Sequence, residues 1–155
     1  MAGKKLNLAM VNENIKKFDE KEKITLSDGN YTYIYPHFSP SKISQLIKES
    51  LTDPIKAKEQ GIDFGGIEQS DLLFLNMFRF FVDMNIPNDI KKKAQIFVKL
   101  VDSDYFGEII RAFPEESIKK LTDALDAVNK NLDLMASKKV TPELISKTVD
   151  QVVEG

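Results

Sequence analysis

Cysteine and tryptophan are absent from this 155-residue chain, and histidine occurs once. Without cysteine there is no disulfide, no thiolate nucleophile and no Cys-based zinc or iron–sulfur site, a usage that a reducing cytosol permits. A lone His37 leaves no multi-histidine metal cage. Arginine is nearly missing too: Arg79 and Arg111 stand beside 20 lysines, a poor supply of the planar donor fork that grips phosphate and guanine. With 22 basic against 24 acidic residues the net charge is −2, so no global basic field attracts nucleic acid or an anionic membrane. A long hydrophobic run is likewise lacking. The most apolar window, LLFLNMFRFFVDMNI at 72–86, is interrupted by Asn76, Arg79, Asp83 and Asn85 and is too short and too polar to span a bilayer. The start, MAGKKLNLAMVNENIKK, has lysines but no apolar stretch of signal-peptide length. The expected location is the cytoplasm, with neither nucleic acid nor membrane as a partner.

What remains is 42% hydrophobic and 30% charged, the composition of one globular domain over residues 1–155. Residues 23–35 (KITLSDGNYTYIY) alternate on both sides of Ser27-Asp28-Gly29-Asn30, which predicts a β-hairpin. Residues 6–18 admit two readings, since Leu6, Leu8 and Met10 alternate like a strand while Ile15 and Phe18 would suit a short helix; the strand is preferred, and the β part is taken as residues 5–36. Ser39-Pro40 starts a helix carrying Ile43, Leu46, Ile47 and Leu51, and Asp53-Pro54 is expected to end it. Gly61, Gly65 and Gly66 among charged residues make 55–69 the candidate flexible loop. From Ser70 onward the pattern is helical, with Ser70 and Asn88 as expected caps and breaks at Pro87, Asp102-Ser103-Asp104 and Pro114. Residues 105–113 form a short helix, and the longest runs from Pro114 to about Ser137. Thr141-Pro142-Glu143 restarts a last one. The predicted fold is α+β, mainly α: a small N-terminal antiparallel hairpin or sheet followed by five to six helices over 40–154.

No catalytic or metal signature stands out, and the expectation is a protein that is not an enzyme and takes no cofactor or metal. Asp102 and Asp104 are spaced as carboxylates that share a divalent cation, and would support a metal-dependent phosphoryl-transfer enzyme; capping of the Tyr105 helix is the preferred reading, because it needs no further ligands whereas a metal site needs several more oxygens that the sequence does not mark. Asp63-Phe64-Gly65 matches the kinase tripeptide without the motifs that accompany it. His37 beside the tyrosines reads as a loop histidine, and Lys91-Lys92-Lys93 as a solvated helix face. Two apolar features carry more weight. In the 72–86 window apolar residues run round the whole helix, so it is either central in the domain or covered on one side by a partner; each large apolar side chain left exposed forfeits ~1.5–3 kcal/mol. Phe74, Phe78 and Phe81 form one stripe, Met77, Phe80 and Met84 another. On the long helix Ile118, Leu121, Leu125, Val128, Leu132 and Met135 recur at spacings of three and four, a stripe of roughly 27 Å at ~1.5 Å per residue that reads first as an amphipathic helix lying on the domain core and second as a seam for another chain. The candidate partner-binding residues are Phe74, Met77, Phe78, Phe80, Phe81, Met84, Leu121, Leu125, Val128 and Leu132.

The order of a hairpin (KITLSDGNYTYIY), FSPSKISQLIKE, a glycine-bearing loop, a phenylalanine-rich helix (LFLNMFRFFVDMNIP) and KLVDSDYFGEIIRAFPEESIKKL resembles the tail assembly chaperones of long-tailed bacteriophages of Gram-positive bacteria, over residues 23–136. The resemblance implies a small, mainly helical, non-enzymatic protein of the host-cell cytoplasm that shields the apolar helices of a tape-measure protein and recruits tail-tube subunits. It also implies a short form and a frameshifted long form sharing their N-terminal part. No residue inherits a role from it, and the hairpin departs from the all-helical members. The alternative is a structural virion component, such as a head–tail connector or tail completion protein, built as a homo-oligomeric ring.

Overall fold

The computed structural model of the protein describes residues 3–64, 66–134 and 140–154. In chain order the described residues form α1 (Leu8–Ile15), a 3-10 turn (Lys16–Asp19), β1 (Glu22–Thr25), β2 (Tyr31–Ile34), α2 (Pro40–Glu59), α3 (Gln69–Phe81), α4 (Ile90–Asp102), α5 (Tyr105–Ala112), α6 (Glu115–Leu134) and α7 (Pro142–Val149), which runs into a π-helical turn, Asp150–Glu154. This is the expected mainly helical fold with one small antiparallel sheet.

Local signals account for most boundaries. Ser39 caps α2 by accepting from the Lys42 amide at 3.3 Å, with Pro40 at the first helical position. Thr141 and Pro142 repeat that device at α7. Four expectations are corrected. Residues 8–15 are a helix and not a strand: Asn7 accepts from the Met10 amide at 3.0 Å, and this cap turns an apparent alternation into the helical spacing Leu8, Val11, Ile15. Pro54 does not end α2, which continues to Glu59. The proline ring is exposed, and tertiary packing of the helix outweighs the missing N–H for the Ser50 carbonyl. The real stop is a Schellman motif: Gly61, at φ +67°, donates to Lys58 and Ile62 donates to the Ala57 carbonyl at 2.7 Å. The non-helical link between α2 and α3 therefore begins at 60, not 55. Finally, α4 is capped by Asp89, accepting from Lys92 at 3.0 Å, where Asn88 was expected, and α3 begins after Glu68 without a side-chain cap, so Ser70 does not cap it.

The hairpin pairs Glu22 with Ile34 through Thr25 with Tyr31, around a turn in which Gly29 has φ +89°. It is docked at both ends. At the open end the Tyr35 amide donates to the Phe81 carbonyl at 2.8 Å and the Asp83 amide to Tyr33 at 2.9 Å, forming an Ile34–Val82 bridge. At the turn, Glu108 of α5 accepts from the Ser27 amide at 2.5 Å and from its hydroxyl at 3.2 Å, while Tyr105 donates to Asp28. Between the hairpin and α6, Ser117 donates to the Pro36 carbonyl at 2.6 Å and Lys120 to that of Phe38 at 3.0 Å. These bonds fix the start of α2 over α3 and α6, whose apolar faces close the core.

Candidate interaction surface and a buried polar network

Helix α3 is internal. Phe78, Phe81 and Met77 have 0% of their surface exposed; Phe81 stacks on Phe38 with ring centroids 3.8 Å apart, and Phe78 on Phe106 of α5 at 5.7 Å. In α6, Leu121, Leu125 and Val128 are buried in the same core. These six candidates for partner binding therefore serve the chain's own interior. The physical reason lies in the connectivity: α2 lies along one flank of α3, the hairpin bridges its C-terminal end, and α5 covers the Phe78 side, so its apolar circumference is satisfied within one chain. Of the other four, Phe74, Phe80 and Leu132 are half-buried and Met84 is exposed. The seam residue Met135 and the expected end of α6 near Ser137 lie outside the described residues.

A second set of residues, which periodicity did not mark, meets inside the fold. Lys93, read as part of a solvated lysine run, is 0% exposed. Its ammonium lies 2.8 Å from Asp53 and 2.9 Å from Glu49, both on α2. Arg79 of α3 makes a two-pronged contact with Glu49, at 2.8 and 3.0 Å, and also donates to the Ile86 carbonyl at 3.0 Å. Asn76, fully buried, donates to Ser50 at 3.0 Å and to Asp53 at 3.4 Å. Two cations and two anions thus tie α2, α3 and α4 together with no net charge. Burial pushes Asp53 above the usual carboxylate range despite Lys93 and Asn76. For Glu49 burial acts in the same direction, yet the bonds from Arg79 and Lys93 prevail and hold it below that range. One sequence signal was available: Lys93 sits at i−1 from Ala94 and i−4 from Phe97, on the apolar face of α4, where a cation requires a buried partner.

The remaining motifs stay apart. Asp104 precedes α5 without a side-chain cap bond, and both Asp102 and Asp104 are exposed. Among the described residues no group of three or more His, Cys, Asp or Glu is placed to hold a metal. Phe64 of the kinase-like tripeptide is buried. His37 is exposed in its loop, beside Lys17, Phe18 and Lys120. Asp28, at the hairpin turn, is held below the usual carboxylate range by the Tyr105 hydroxyl, and Tyr105 is raised in return.

Apolar surface outside the core is concentrated elsewhere than α3. No residue of α1 is buried, and Leu6, Leu8, Met10, Val11 and Ile15 are all exposed. Met84, Val98, Val101 and Tyr105, before and along α4 and at the start of α5, are exposed as well, and Leu134 ends α6 in the open. Among the described residues no helix is long and apolar enough to cross a membrane.

Together these features define a small, mainly helical protein with a docked hairpin, an internal ionic tie and apolar surface displaced to its arm and flanks. Comparison with known proteins makes this class specific: the YomO family profile matches residues 8–154, and the chain belongs to that family. It is 42% identical, over 157 aligned positions spanning all of this chain and 95% of the relative, to the SPbeta prophage-derived uncharacterized protein YomO of Bacillus subtilis strain 168. No solved structure matches the chain.

Proposed function

We propose that this chain is a non-enzymatic bacteriophage tail assembly chaperone, which holds a helical partner, the tape-measure protein or tail-tube subunits, in the host cytoplasm before the tail is built. Kinship with a prophage-derived protein supports the bacteriophage part of this reading. The observation that carries the chaperone part is exposed apolar side chains at several separate places on a chain that has already filled its own core. Shielding apolar helices that have no membrane to enter requires such surface and no reacting groups. Of the ten residues singled out by periodicity, Phe74, Phe80, Met84 and Leu132 keep accessible area, and Leu134 adds to them. A partner helix would be gripped there and not by Phe78 or Phe81.

Co-expression with the tape-measure protein of the same phage tests the reading. The tape-measure protein should remain in the soluble fraction with the native chain and precipitate with a Met84→Asp, Leu134→Asp variant that keeps its circular dichroism. Equal solubility with both, or with neither, rejects the proposal. The projecting α1 favours a second reading, a structural virion component, because an arm is what lets one ring subunit overlap the next; a closed ring of about six or twelve copies on mass measurement would select it.

A further inference from the structure

Helix α1 is a short amphipathic element none of whose residues is buried. An isolated helix of eight residues is marginal in water and gains its stability from packing an apolar face. Here Leu8, Val11 and Ile15 align on one face, and every hydrogen bond or ion pair the structure gives this helix stays within residues 7–16. The arm leaves the body beside His37 and Lys120. Elsewhere on the surface, a groove of about 500 Å³ runs between the turn at Gly61 and the outer face of α4, floored by Ile62, Ala94 and Val98 and edged by Lys91 and Lys99. Among the described residues the chain thus carries a helix with an exposed apolar face and, apart from it, an open groove with an apolar floor.

We propose that two copies of this chain exchange their N-terminal arms, each α1 lying antiparallel along the α4 groove of the other. Charge complementarity sets the direction. With α1 antiparallel to α4, Lys4 and Lys5 meet the exposed Asp102 and Asp104 at the C-terminal end of α4, and Glu13 comes level with Lys91 and Lys92 at its start. Length agrees: α4, with 13 residues, is ~20 Å long and seats the ~12 Å of α1 with the flanking lysines. Area agrees as well. With Leu6 and Leu8 exposed at 71% and 79%, and Met10, Val11 and Ile15 at 39–49%, each arm presents on the order of 500 Å² of apolar surface. Two such arms together offer on the order of 1,000 Å², and the groove walls they cover bring the total to the lower end of the range for a specific interface. Reciprocal exchange closes at two copies and leaves no groove open for a third. The exchange is independent of the chaperone reading, which uses Met84 and Leu134.

The full chain should sediment at tens of micromolar as a particle of twice its 17.6 kDa mass. Leu8→Asp with Val11→Asp, or Val98→Asp alone, should raise the dimer dissociation constant roughly a hundredfold, with unchanged circular dichroism. Because the protein has no cysteine, a Leu8→Cys, Val98→Cys variant reports the pairing directly: in this register the two positions face each other, and mild oxidation should give a covalent dimer. A chain that stays monomeric overturns the proposal, as does an internal bond within one chain, a ladder of higher covalent species, or a dimer indifferent to all these substitutions.

Discussion

Lys93→Met removes the central cation of the buried network and nothing else of similar volume. In the native protein the Lys93 ammonium neutralises Asp53, which is 2% exposed, and shares Glu49 with Arg79. After substitution Glu49 retains Arg79, but Asp53 is left with the Asn76 amide at 3.4 Å as its polar partner. Breaking one side of a buried pair costs about 3–5 kcal/mol, because the other charge stays desolvated. In a domain whose total stability is about 5–15 kcal/mol, that is a large share, and for a chain of this length it lowers Tm by roughly 6–20 °C. Thermal and urea unfolding followed by circular dichroism at pH 7 measures it. Two controls sharpen the reasoning. Adding Asp53→Leu to Lys93→Met removes both desolvated charges and should recover most of the loss, since buried pairs exchange for apolar residues at little cost. On acidification, Asp53, already pushed up by burial, takes a proton in the folded variant first, so the penalty of Lys93→Met should shrink as the pH falls. A single variant that costs less than about 1 kcal/mol, or a double variant no more stable than the single one, refutes the argument that this charge is compensated inside the fold.

Two further outcomes follow from the same geometry. Glu49→Gln should weaken the tie at neutral pH: a carboxyl held low by Arg79 and Lys93 stabilises the fold above its unfolded value and loses that contribution as pH falls, so the gap between native protein and variant should be widest near pH 7 and close below pH 4.5, the ordinary glutamate value; a gap that widens on acidification contradicts the assignment. Phe81→Ala, which empties the site stacked against Phe38, should cost about 3–5 kcal/mol, whereas Met84→Asp three residues on should stay within about 0.5 kcal/mol. Equal losses by urea unfolding would mean that α3 and its exit are not divided into core and surface as described.

The sequence by itself determined the pieces whose causes are local. Ser39-Pro40 and Thr141-Pro142 place helix starts because a hydroxyl and a proline satisfy the first turn without help from elsewhere. Alternation around Asp28-Gly29 marks the hairpin because only such a turn suits the twist of the strands, and the absence of cysteine limits the chemistry whatever the fold. Where two local readings compete, as at Leu6, Leu8 and Met10, or where a breaker sits in a packed helix, as at Pro54, local rules point the wrong way: a cap at Asn7 and the burial of α2 decided those. Tertiary structure alone decided which apolar faces the chain keeps for itself. Periodicity records that Phe78, Phe81, Leu121 and Val128 are apolar and aligned, but burial depends on the elements that arrive from 40 residues away, and these cover the Phe78 and Phe81 side of α3 while leaving Phe74 and Phe80 partly accessible. The same is true of Lys93, whose charge is tolerable inside only because α2 brings Glu49 and Asp53 to it across a sequence gap that no local pattern spans.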